Sequence, residues 1–175
     1  MKRATELPEN HPLKKLFRSF TERGLAQASI RDQDLLIYLA NMLVEFLWIE
    51  NLYNLRDAEG RRLESLVDLL VQANEVEMPK KRDYYKHLGD YSLFMLGMFP
   101  EYIARSRRTL SPSWYKDTGR AGYQIAGELD ENTWRIQVFR KLADRFDGCV
   151  LSLHWVREYS TDPFYQWMFR EFGIR

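Results

Sequence analysis

Pro100 closes the densest mixture of glycine, polar and aromatic residues in the chain, His87-Leu88-Gly89-Asp90-Tyr91-Ser92-Leu93-Phe94-Met95-Leu96-Gly97-Met98-Phe99-Pro100-Glu101. Gly89, Leu93 and Gly97 fall four residues apart, so on a helical period of about 3.6 they line one narrow stripe with little side-chain bulk. A glycine inside a helix costs about 1 kcal/mol against alanine, and a second helix backbone pressed close is the simplest compensation. Tyr91, Phe94, Leu96 and Phe99 spread apolar surface around the rest of the circumference. The stretch therefore predicts a central helix near residues 79–99, buried on several sides. Pro100 has no N–H and disfavours helical geometry at Phe99, so the helix must stop or kink there and leave Glu101 just beyond.

Helical periodicity organises the flanks as well. Residues 1–9 read as a flexible leader, and Asn10 with Pro12 supplies start signals for an amphipathic helix carrying Leu13, Leu16, Phe17 and Phe20 and ending near Gly24. A longer helix is predicted from Ser29 or Asp32 to about Leu55, with Glu45 inside its apolar pattern. A polar turn at 56–61 precedes a third helix from Leu63 that fades at Asn74 to Met78. Ser111-Pro112 is a strong start for a helix on which Tyr115, Gly119, Gly122 and Ala126 share one face, the natural complement of the Gly89/Gly97 stripe. Another helix starts at Asp130-Glu131-Asn132-Thr133 and should end at Asp147-Gly148. Cys149 to Tyr159 fits a short strand or a helix, and its helical surroundings favour helix; Asp162-Pro163 begins a final aromatic helix. The expectation is an all-α, single-domain bundle of about six to eight helices spanning residues 10–175.

Composition narrows the function classes. At 175 residues, with 45% hydrophobic and 14% aromatic residues, the chain is not disordered and holds one sizeable core. A net charge of +1 supplies no field toward nucleic acid or membrane, and the basic segment 105–120 with Trp114 and Tyr115 lacks a recognisable nucleic-acid module. The most apolar run, Tyr91 to Phe99, is far short of the roughly 20 residues of a membrane span. A single cysteine, Cys149, excludes an internal disulfide and a cysteine metal cluster and fits a reducing, cytoplasmic setting, where it reads as a buried small hydrophobe.

Few residues invite chemistry. None of His11, His87 or His154 follows a glutamate by three, and no His-Glu-x-x-His occurs, so di-iron and zinc signatures are missing and no metal ligand is assigned. Gly119-x-x-Gly122 lacks the strand and lysine of a phosphate loop. His87 alone is weak support for a haem ligand, and no cofactor is assigned. His87 and Asp90 are neighbours on one helical face, an arrangement that also suits a histidine packed in the interior beside a paired acid. As a ligand site they would join Glu101, Arg105, Arg108 and Tyr115 near the Pro100 break, with His87 carrying a proton, Asp90 orienting it and an arginine clamping an anion.

The run Gly89-Asp90-Tyr91-Ser92-Leu93-Phe94, with Gly97, Phe99-Pro100-Glu101, Tyr115, Gly119 and Tyr123, resembles a family of uncharacterised bacterial all-helical proteins over roughly residues 30–125. The resemblance implies a bacterial source and carries neither an activity nor a catalytic residue. Two readings follow. The first is a non-enzymatic helical interaction or scaffold protein, homodimeric, whose aromatic tail folds back on the core or covers a second subunit. The second is a protein binding an anionic or acyl small molecule, or an acid/base enzyme, at the Pro100 break.

Overall fold

Five of the helices open on residues whose side chains accept hydrogen bonds from otherwise orphaned N–H groups. In the computed structural model, which describes residues 7–47, 65–105 and 111–160, the N–H of Leu13 donates to His11 Nδ1 at 3.2 Å and starts α1 (Pro12–Gln27). Asp32 accepts from Asp34 and Leu35 at the head of α2 (Gln33–Phe46). Ser65 caps α3 (Leu66–Glu75), Ser111 caps α6 (Pro112–Leu129) and Asn132 caps α7 (Thr133–Asp144). Between them run α4 (Lys80–Met98) and α5 (Pro100–Arg105), and α8 (Phe146–Ser160) completes the eight helices of the described residues, which contain no strand. The all-α expectation holds, Cys149 to Tyr159 is helical, and no described helix is long and apolar enough to cross a membrane.

The helices group into two compact units, one of residues 1–52 with 148–175 and one of residues 53–147. In the first, Leu13, Phe17, Phe20 and Leu25 of α1 and Leu35, Leu39 and Leu43 of α2 are buried, and Leu7 is buried ahead of α1. Gly24 does not end α1; a Cβ there would collide with the carbonyl oxygen of Ser152 on α8, so the glycine admits a close helix contact. The helix runs on to Gln27 and closes with Ile30 N–H on the Leu25 carbonyl and Ser29 N–H on the Ala26 carbonyl. This pair of bonds requires a left-handed residue, and Ser29 takes that place with φ of +59°. Gly148, expected to end a helix, lies inside α8, where a Cβ would come within 2.7 Å of Ile30.

In the second unit α4 is the buried centre: every residue from His87 to Gly97 is buried. The α4 helix stops at Met98 and α5 restarts at Pro100, as the proline requires. The small face of α6 packs on it. A Cβ on Gly89 would meet the Tyr123 ring at 2.6 Å, one on Gly122 the Tyr85 carbonyl at 2.8 Å, and one on Gly119 the Ser92 side chain at 2.7 Å. The Ser92 hydroxyl donates to the Tyr115 carbonyl across the same contact. Tyr123 stacks on Phe139 of α7 at 6.2 Å between centroids, and Tyr85 donates to Asn74 of α3 at 2.6 Å. The α7 helix ends at Asp144, earlier than its expected stop, because Arg145 leaves helical geometry and Phe146 starts α8. The expected continuation of α2 to Leu55, the turn at 56–61 and the helix from Asp162 lie outside the described residues.

Candidate functional site

Asp90 sits on the most buried helix of the second unit, with its side chain 3% exposed. Burying a carboxylate is costly unless it is paired, and the fold supplies two donors. Lys86, one turn earlier on α4, donates to Oδ2 at 2.6 Å, and the Tyr123 hydroxyl donates to Oδ1 at 2.8 Å. Tyr123 reaches Asp90 because its ring lies over Gly89, so the glycine that permits the helix contact also aims the hydroxyl. His87 is buried beside this group, its ring centroid 6.4 Å from that of Tyr91. Lysine, carboxylate and phenol together form a neutralised interior tie between α4 and α6.

The remaining candidate residues are placed elsewhere. Glu101 and Arg105 lie on α5 with exposed side chains. His87 stands eleven residues before Met98, which at a rise of about 1.5 Å per residue puts roughly 16 Å of helix between it and the Pro100 break. His87 and Asp90 are thus both buried on α4, whereas Glu101 and Arg105 follow on α5, beyond the break. Tyr115 is buried and holds Ser92 through its carbonyl, and Arg108 lies outside the described residues. The break itself carries two exposed aromatics, Phe99 at 47% and Tyr102 at 58%.

Two ionic groups have no counterpart in the sequence reading. Asp130, its side chain fully buried, receives the Arg135 fork at 2.8 and 3.0 Å and the Asn132 N–H at 2.8 Å, with Arg82 of α4 at 3.7 Å. Burial pushes the Asp130 carboxyl up, but the bonds from Arg135 and Asn132 and the charges of Arg135 and Arg82 outweigh it and hold the group below its usual range. The Asp130 bond in turn raises Arg135. Of the cations at the start of α4, Arg82 bonds its neighbour Asp83 at 2.9 Å and stands 3.7 Å from Asp130, and Lys86 meets Asp90. In the first unit Glu9 bridges two cations of α1, accepting from Lys14 at 2.7 Å and from Arg18 at 3.2 Å. The hydrogen bond and charge of Lys14, then the bond from Arg18, hold the Glu9 carboxyl below the usual range. The Asp130 group left one trace in the sequence, a cap-rich run with Arg135 five residues on, while Arg82 is distant in the chain.

A cavity of about 290 Å³ opens where α1 turns into α2, with Glu22, Arg31, Asp32 and Gln33 as its polar walls; Asp32 is already committed to capping α2. Among the described residues no group of three or more His, Cys, Asp or Glu side chains is placed to hold a metal ion. No protein-family model, curated protein or solved structure matches the chain.

Proposed function

We propose that this chain is a non-enzymatic helical interaction protein that works as a homodimer. The observation that carries this reading is the exposure of Phe99 and Tyr102 at the Pro100 break, while the buried acids Asp90 and Asp130 are matched by cations of their own unit. Aromatic side chains beside an arginine are the residue types that anchor protein interfaces, and Arg105 follows Tyr102 on α5. The aromatic segment 162–175, with Phe164, Trp167, Met168 and Phe172, is a second source of contact area. A bacterial origin, the kinship of the Gly89–Glu101 block and a cytoplasmic location belong to the same proposal.

Sedimentation equilibrium of the full chain, of Phe99→Ser/Tyr102→Ser and of a chain ending at Thr161 tests it. The full chain should be dimeric at micromolar concentration, and at least one of the two variants should shift to monomer while keeping its helical circular dichroism. A monomeric full chain overturns the proposal, as does a dimer that neither change weakens.

A further inference from the structure

Lys14 is a cation in an expensive place. Its side chain is only 5% exposed, and its acceptor among the described residues is Glu9, a carboxylate whose own side chain is 76% exposed. One turn on, Arg18 gives Nη2 to the other Glu9 oxygen, while its Nε is buried with no hydrogen-bond partner among the described residues. Nε and Nη2 form the planar edge of a guanidinium that matches two oxygens of a single group. Of the two donors on that edge Glu9 meets Nη2, and the other, Nε, is dry. A buried donor without a partner calls for a missing acceptor.

We propose that Lys14 and Arg18 form a binding site for a phosphate group, with Glu9 as its displaceable internal occupant. A tetrahedral phosphate places one oxygen on Lys14 and two across the Nε/Nη2 edge of Arg18, leaving its fourth toward solvent. Glu9 as placed meets Lys14 with one oxygen and Nη2 with the other, and leaves the Nε half of the edge unmatched. Two positive charges meet a dianion, where Glu9 supplies one negative charge. Glu9 precedes α1, at a turn closed by the His11 N–H on the Pro8 carbonyl at 2.9 Å, so its side chain swings away without unwinding a helix.

Calorimetric titration of the full chain with inorganic phosphate, phenyl phosphate and acetate tests the site. Glu9→Ala, which removes the internal competitor, should bind inorganic phosphate at least about tenfold tighter than the unmodified chain. Adding Arg18→Lys, which keeps the charge and loses the planar edge, should remove most of that gain, and adding Lys14→Met should abolish it. Tighter binding of phenyl phosphate identifies a phosphate carried on a larger molecule; binding of inorganic phosphate alone identifies the free ion. Circular dichroism checks each variant, and if Lys14→Met fails to fold, the Arg18→Lys comparison decides. The proposal fails if Glu9→Ala gains nothing for phosphate, if acetate binds it as tightly, or if Arg18→Lys leaves phosphate affinity unchanged.

Discussion

Asp130 shows how much a single buried carboxylate contributes to a small helical unit. Because its folded pKa lies below the ordinary value, its stabilisation is fully present above the unfolded carboxyl range near about 4 and is lost as pH falls through the folded value. Asp130→Asn should therefore cost about 1–3 kcal/mol at pH 7, the cost of breaking charge-assisted bonds to a buried group. In urea unfolding the difference from the unmodified protein should shrink at pH 2–3; a pH-independent difference would assign the loss to packing. At this scale the sequence was legible wherever partners are local. Asp32, Ser111 and Asn132 cap helices that their positions announced, whereas the first cap is His11 and not Asn10, because His11 directly precedes Pro12 and its Nδ1 reaches the Leu13 N–H. The His87/Asp90 spacing drew attention to an acid that is buried, but its donors include Lys86 and Tyr123, and a tyrosine thirty-three residues away leaves no local mark.

Among the elements, glycines decide which helices touch. The Gly119/Gly122 face was read from spacing as the complement of the α4 stripe, and α6 indeed meets α4 there, with Gly89 under Tyr123. Gly24 was misread because a glycine late in an amphipathic pattern looks like a terminator, and only the packed α8 reveals the backbone contact that excludes a Cβ. Gly89→Ala should destabilise by about 2 kcal/mol or more, since the Tyr123 ring must move off its contact and loosen its bond to Asp90. Ser29→Gly should stabilise by about 0.5–1 kcal/mol, because a left-handed serine is replaced by the residue with no Cβ penalty. Chemical denaturation of both variants checks these opposite signs; a destabilised Ser29→Gly would mean that the serine side chain makes a stabilising contact.

For the whole molecule, periodicity fixed the helical class and the approximate helix count, but not which helices share a core, since an apolar stripe does not name its partner. The contacts collect into a continuous unit of residues 53–147 and a unit assembled from both ends of the sequence. A fragment spanning 53–147 should accordingly give helical circular dichroism and a cooperative melt by itself, while residues 1–52 alone should not; the reverse result would contradict the division. The contact of Gly24 with Ser152 then acquires a meaning in time. During synthesis, α1 and α2 leave the ribosome with one wall of their core missing. At translation rates of about 5–20 residues per second, that wall arrives roughly 5–20 s later, after the whole of 53–147 has been made. The first helices of the chain must wait, with their apolar faces uncovered, for α8, and that interval is when this protein is most exposed to chaperones and to aggregation.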